Sequence, residues 1–176
     1  MKRDINDLTN HFSSALHEHY GAAFEMLEYA VESCPVEIWD DRKDGPPFWH
    51  VVYHAMWYLD WYLVNNKRER EAFKSRYERI SPRLDDSPTE VLTQDQLMSY
   101  LLEIKNKAKK RFENLEVNDL IQASIFEWHG KNILSSLLYN LRHLMLHIGT
   151  LNLRILRNGV KLDNWVTNAL ISDSLE

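Results

Sequence analysis

The sequence predicts an all-α fold, a four-helix bundle with long connectors and a C-terminal capping tail. Glycine and proline number only five each in 176 residues and fall mostly between long segments. Within those segments apolar residues recur every three or four positions, which is the period of an amphipathic helix. A chain of this length with 44% hydrophobic residues can form a sizeable core, so residues 1–176 are expected to be one domain.

The first two helices are predicted at residues 4–33 and 48–67. Pro35 ends the first, and a connector containing Gly45-Pro46-Pro47 leads to the second. The second helix is rich in tryptophan and tyrosine, and its apolar residues lie on most sides. A helix of this kind is packed against several neighbours.

The third and fourth helices are predicted at residues 94–115 and 131–157. Thr93 precedes the third helix as a predicted N-cap, and Gln96 completes a capping box. Asn158-Gly159 is a C-terminal stop signal for the fourth helix.

The remaining segments are predicted to be connectors. Residues 68–92 are expected to form a loop over one end of the bundle, with a short helical turn at 69–75. Residues 116–130 are expected to contain an extended piece at 121–128. The tail, residues 160–176, is expected to pack back through its apolar residues as a cap.

Charge and cysteine content exclude several classes of function. The net charge is −5, and the pI near 5.9 argues against a nucleic-acid surface. The basic run at 105–111 is interpreted as the solvated face of a helix.

Cys34 is the single cysteine, which fits a reducing cytosol. The N-terminal segment lacks the apolar core of a signal peptide, and no apolar run is long enough to cross a membrane. A cytoplasmic protein is expected.

Two pairs of histidines stand four residues apart in the two most apolar helices. They are His50 with His54, and His143 with His147. This spacing puts both imidazoles of a pair on one helix face, about one turn apart. Random placement of eight histidines would give about 0.35 such pairs, so one pair alone is weak evidence.

These pairs predict a divalent metal site. Either His50 or His54 could join His143 and His147, because a bundle interior accepts ligands from facing helices. Three protein ligands would leave a fourth position open for water or substrate. Neutral imidazoles suit zinc and nickel alike. The alternative is that hydrogen bonds satisfy these histidines as parts of the core.

Two segments carry a more specific pattern. Residues 48–63 read FWHVVYHAMWYLDWYL, an aromatic-rich stretch with a histidine followed by further aromatics. Residues 143–154 read HLMLHIGTLNLR: a histidine, three residues, a histidine, one residue, a glycine and later Leu-Arg. In these motifs the chain resembles the DinB/YfiT-like superfamily of metal-dependent four-helix proteins. The resemblance extends over the whole chain.

The resemblance implies a metal site formed by His54, His143 and His147, and so favours His54 over His50. His50 is then a candidate to support the ligands by hydrogen bonding, and its plainer interpretation is a histidine at the rim. Thr150 stands where the family commonly has glutamine. Thr150 and Asp60 are further candidates for polar residues near the ligands.

The resemblance also implies a chemistry, since characterised relatives include metal-dependent transferases that use low-molecular-weight thiols. A metal would bind such a thiol as the thiolate, and a small-molecule electrophile would be the second substrate. Tyrosines and tryptophans of the second helix would line an apolar pocket, although most of them are expected to be core.

Two other functions are open at this point. Metal-assisted hydrolysis needs a carboxylate near the metal-bound water, for which Asp60 and Glu25 are candidates. The H-E-x-x-H motif of metalloproteases is absent, because Leu-Met-Leu separates His143 from His147. The third function is non-enzymatic, with structural histidines. The aromatic-rich helices make a homodimer plausible.

Overall fold

All regular secondary structure in the described part of the chain is helical. The computed structural model describes the backbone of residues 2–6 and all of residues 7–43, 45–172 and 174. Apart from helices, these residues contain one isolated antiparallel bridge between Ala123 and Asn132. The all-α prediction is confirmed.

Four long helices alternate with short ones along the chain. The helices are α1 (Lys2–Glu32), α2 (Val36–Trp39), α3 (Phe48–Tyr62), α4 (Lys67–Ala72), α5 (Gln94–Glu113), α6 (Val117–Leu120) and α7 (Ile133–Arg157). A single 3₁₀ turn, Glu127–His129, precedes α7.

The long helices α1, α3, α5 and α7 pack against one another. α3 lies against both α7 and α5, and α1 lies against the same two helices. The buried side chains between them form one large apolar cluster, which includes Tyr20, Phe24, Trp49, Leu101 and Leu144. This packing places the histidine-bearing faces of α3 and α7 opposite each other.

Local signals set the ends of α5 and α7. The Thr93 hydroxyl accepts from the backbone N–H of Gln96 at 3.2 Å, and the Gln96 side chain accepts from the backbone N–H of Thr93 at 2.9 Å. The predicted capping box is therefore confirmed. α7 ends before Asn158, and Gly159 follows with a φ of 82°. This left-handed conformation favours glycine.

The second predicted helix is shorter than expected, and the helical turn predicted at 69–75 corresponds to α4. α3 ends at Tyr62, and the Asn66 side chain caps α4 by accepting from the backbone N–H of Glu69 at 2.9 Å. The Glu69 carboxylate accepts from the backbone N–H of Asn65 at 2.7 Å. The predicted continuation to residue 67 is wrong, because Asn65 and Asn66 form the start of a new helix instead.

Two further sequence expectations are corrected. The extended piece predicted at 121–128 is represented only by the Ala123–Asn132 bridge, because turns and bends fill residues 121–126 and the 3₁₀ turn begins at Glu127. The basic run at 105–111 is not simply a solvated face. Lys105 is buried, and its Nζ lies 2.8 Å from the Glu28 carboxylate. The ion pair allows the lysine to be buried.

The C-terminal tail lies along α1. Ile171 is buried, and the backbone N–H of Ala169 donates to the carbonyl of Glu18 at 3.3 Å. Trp165 and Leu170, which were expected to pack inward, are 76% and 69% exposed. The close approach depends on Gly21, because a Cβ at this position would overlap the carbonyl of Ala169.

None of the described helices combines the length and the apolar character needed to cross a lipid bilayer.

The approach of the tail to α1 gives a testable prediction with a matched control. Gly21→Ala should lower the free energy of unfolding and make the tail more sensitive to proteolysis, because the new methyl group displaces Ala169. Gly149→Ala should raise the free energy of unfolding by about 0.5–1 kcal/mol, since alanine is the better helix former and no neighbouring atom lies close to the new Cβ. Urea unfolding of both variants measures the difference. Equal stabilisation of the two variants would contradict the tail contact.

Candidate metal centre

His143 and His147 occupy adjacent turns of α7, and their rings converge. The two Nε2 atoms lie 3.2 Å apart, and the ring centroids are 4.6 Å apart. At most one of these nitrogens can act as donor toward the other when both rings are neutral. A divalent cation between them would instead bind the lone pairs of both.

His54 reaches the same point from α3. Its ring centroid lies 4.5 Å from that of His147 and 5.3 Å from that of His143. Its Nδ1 lies 2.7 Å from the carbonyl oxygen of Pro82. A carbonyl only accepts, so Nδ1 carries the proton and Nε2 keeps its lone pair. A metal-binding histidine is normally oriented in this way, by a hydrogen bond from the ring nitrogen that does not bind the metal.

The three histidines fit a divalent ion. Their candidate ligand atoms all lie within 4.8 Å of one another, and each residue is half-buried. Tetrahedral zinc with Zn–N bonds of about 2.0–2.1 Å holds its nitrogens about 3.3 Å apart. The separation of 3.2 Å between the His143 and His147 nitrogens is close to that value. These three residues therefore could hold a metal.

Burial keeps the three imidazoles neutral. Desolvation lowers the pKa of His143 to about 4, assisted by the nearby His54 and His129. It lowers the pKa of His147 to about 3, assisted by His54 and His143. Desolvation also lowers the pKa of His54, opposed by its hydrogen bond to Pro82. Neutral imidazole is the form that binds metal, so protons compete weakly at neutral pH.

His50 lies outside the group of convergent nitrogens. It is fully buried, and its Nε2 donates to the carbonyl of Ser81 at 2.8 Å. His50 and His54 thus hold the carbonyls of two consecutive residues, Ser81 and Pro82. His50 is therefore not a histidine at the rim, and it contacts the connector next to the residue that His54 contacts.

Thr150 does not turn toward the three convergent histidines, His54, His143 and His147, which together form the histidine triad. Its side chain is exposed, and its hydroxyl donates to the carbonyl of Leu146 on the same helix at 3.0 Å. A hydroxyl that bonds to the preceding turn is the ordinary behaviour of threonine within a helix.

The carboxylates proposed for hydrolysis are engaged elsewhere. Asp60 forms an ion pair with Lys107 of α5, and it accepts from the Tyr100 hydroxyl at 2.8 Å. Glu25 lies on α1 beside Glu28, around a surface pocket. Among the described residues, no carboxylate belongs to the convergent group.

Aromatic rings enclose one side of the triad. The Tyr58 ring lies 4.8 Å from His54 and 5.4 Å from His143, and the Tyr62 ring lies 6.4 Å from His143. Tyr53 points the other way, because its hydroxyl bonds to Ser75 at 2.6 Å. Of these three tyrosines, Tyr58 therefore makes the closest contacts with the histidines.

His129 is a neighbour of the site that the sequence reasoning missed. It lies in the 3₁₀ turn before α7, 7% exposed, and stacks on Tyr139 at 3.9 Å. Its Nδ1 pairs with the Ser136 hydroxyl at 2.9 Å, and its Nε2 is buried without a partner among the described residues. The spacing of the histidines did not predict that His129 would lie near the site. Its position depends on how the connector folds back onto Tyr62.

Comparison with known proteins places the chain in a family. The family model for the DinB superfamily matches residues 19–151, which include all three convergent histidines. The chain therefore belongs to the DinB superfamily. Searches of curated proteins and of solved structures gave no significant match.

The buried imidazoles give a pH prediction for the metal-free protein. His143 and His147 should stay neutral at about pH 5, where an ordinary imidazole with a pKa of about 6.5 is mostly protonated. Their lowered pKa values, about 4 and about 3, have burial as the main cause. Between these values and 6.5 the unfolded chain binds more protons, so the free energy of unfolding should fall as the pH falls through this window. NMR titration of the imidazole protons measures both pKa values, and a midpoint near 6.5 would contradict the prediction.

Proposed function

We propose that this protein binds one divalent metal ion, zinc or nickel, through His54, His143 and His147. The observation that carries the proposal is the convergence of three neutral imidazoles, with the Nε2 atoms of His143 and His147 3.2 Å apart. Histidines that serve only the core are normally satisfied by hydrogen bonds. Here the Nε2 of His143 instead faces the Nε2 of another imidazole.

The chain's own residues prepare this site. The Pro82 carbonyl fixes the tautomer of His54, and His50 secures the neighbouring carbonyl of Ser81. The Tyr58 ring limits the access of water to His54 and His143. Three protein ligands leave a coordination position for a small molecule.

We further propose that the reaction is a group transfer in which a low-molecular-weight thiol attacks a small-molecule electrophile. The sulfur forms the new bond, and the group that it displaces leaves with the thiol proton. A bound divalent ion lowers the pKa of a thiol and supplies a nucleophile at neutral pH. Transfer of this kind needs no carboxylate base at the metal, which agrees with the engagement of Asp60 by Lys107. Hydrolysis would need such a base. The second substrate is then a small-molecule electrophile held against the tyrosines.

We assign the architecture as a single-domain four-helix bundle of the DinB type, with residues 160–176 as a capping tail. Pairwise packing of α1, α3, α5 and α7 supports the bundle. The hydrogen bond from Ala169 to Glu18 and the burial of Ile171 support the cap.

We also propose a cytoplasmic homodimer without nucleic-acid or membrane partners. The aromatic residues of α3 that suggested a dimer are mostly buried within the chain. Support comes instead from α7, where Leu138, Leu146, Leu153 and Leu156 are exposed. The buried thiol of Cys34 is compatible with a reducing compartment.

Metal retention tests the proposed ligands. After reconstitution with Zn²⁺ or Ni²⁺ and desalting, the wild-type protein should retain about one ion per chain. The double variant His54→Ala/His143→Ala should lose at least about 100-fold in affinity, since removing even a supporting hydrogen bond to a metal ligand costs up to that factor. The matched control is His11→Ala/His19→Ala, which removes two exposed histidines of α1.

The control variant should bind metal as the wild type does. Wild-type protein that retains no metal after reconstitution would contradict the metal site and, with it, the transferase proposal. Equal retention by both double variants would assign the metal to other residues.

Thiol binding can be tested spectroscopically. Addition of cysteine or glutathione to the Co²⁺-loaded protein should produce a sulfur-to-metal charge-transfer band, whereas serine should not. Consumption of a chromogenic electrophile should then require the thiol and disappear in the His54→Ala/His143→Ala variant. Turnover that is independent of thiol but dependent on metal would favour hydrolysis instead.

A further inference from the structure

A cleft of about 770 Å³ lies along α5, and it shares no lining residue with the triad. Its walls come from α5, from Asn65 at the start of α4, and from Asp119 of α6. This volume is in the range of small-molecule sites. Three cationic side chains of α5 line it: Lys107, Lys110 and Arg111.

Arg111 is a half-buried cation without a paired anion among the described residues. Its Nη1 donates to the carbonyl of Val64 at 2.9 Å and to the carbonyl of Tyr62 at 3.3 Å. Its Nε is buried and has no partner, and Nη2 makes no hydrogen bond among the described residues. Burial lowers the pKa of the guanidinium, and the nearby Tyr20 and then Glu69 oppose this shift. The Glu69 carboxylate is itself engaged by Asn65, so it does not form an ion pair with Arg111.

Two of the other charged side chains that line the cleft form ion pairs with residues outside the lining. Lys107 is paired with Asp60, and Glu103 is paired with Arg76. The Asp119 carboxylate accepts from the backbone N–H of Glu116 at 3.0 Å.

Two cations that line the cleft have no ion pair within the described part of the chain: Arg111, which is half-buried, and Lys110, which is exposed. The Asp119 carboxylate keeps its charge, so the lining has three cations and two anions and a net charge of +1, although the whole chain carries −5.

We propose that this cleft binds a small oxyanion, the phosphate or carboxylate group of a small molecule, with Arg111 as its main contact and Lys110 as a second. Nη1 of Arg111 donates to two carbonyls and Nε is buried, so Nη2 is the nitrogen left to donate to a phosphate or carboxylate oxygen. Burying a charge is costly unless it is paired, and a bound anion would supply the missing pair. Two unpaired cations are too few for a nucleic-acid surface, which needs a larger basic patch. This site does not depend on the metal.

Calorimetric titration with inorganic phosphate and with citrate, at constant ionic strength set by NaCl, tests the proposal. Wild-type protein should bind at least one of the two probes. Arg111→Gln should weaken binding at least about tenfold, because a hydrogen bond to a charged group contributes about 1.5–3 kcal/mol. Lys110→Gln should weaken it less, by a few-fold. Phosphate binding without citrate binding would assign the site to phosphate groups, and the reverse to carboxylates.

Lys161→Gln is the matched control, since it removes an exposed lysine outside the cleft and should leave the affinity unchanged. His54→Ala/His143→Ala should also leave it unchanged, which separates this site from anion binding at a metal. If Arg111→Gln fails to fold, Lys110→Gln and Lys110→Glu decide, because Lys110 is exposed. The proposal would be overturned by absence of binding of both probes, or by equal affinities of the wild-type, Lys110→Gln and Lys110→Glu proteins.

Discussion

The burial of three neutral imidazoles between α3 and α7 is the constraint on which the candidate site depends. Protonated histidines at this spacing would repel one another, and desolvation removes that state by lowering the pKa of all three. The packing of α3 on α7 therefore does two things at once. It brings the His54 ring to 4.5 Å from that of His147 and 5.3 Å from that of His143, and it keeps the lone pairs of these imidazoles available.

The connector after α4 is a structural part of the same site. Three residues of α3 hold it through side-chain hydrogen bonds: Tyr53 to the carbonyl of Ile80, His50 to that of Ser81 and His54 to that of Pro82. These bonds satisfy carbonyl groups of an irregular segment that has no helical partners of its own. One consequence is that the orientation of His54 depends on a loop, whereas His143 and His147 are oriented by a continuous helix.

Two lysines of α5 are paired with carboxylates that lie apart from the three histidines. Lys105 and Lys107 draw Glu28 and Asp60 toward α5, so each buried cation has an acidic partner. Arg111 is the exception among them, and it bonds to backbone carbonyls at the end of α3. The polar chemistry of α5 is thus separated from the histidines of α7, because α3 packs between them and contacts both helices.

The all-α fold, the capping box at Thr93 and the pairing of His143 with His147 could be predicted from the residues alone. These follow from periodicity and from spacing within one helix, which are local properties. Residue spacing left His50 and His54 equivalent, and family resemblance favoured His54. Three features became visible only in the folded chain. They are the hydrogen-bond partners of His50 and His54, the ion pair between Asp60 and Lys107, and the contact of His129 with Tyr62. Those outcomes depend on how connectors and neighbouring helices pack, and no local pattern in the chain specifies contacts between residues so distant in sequence.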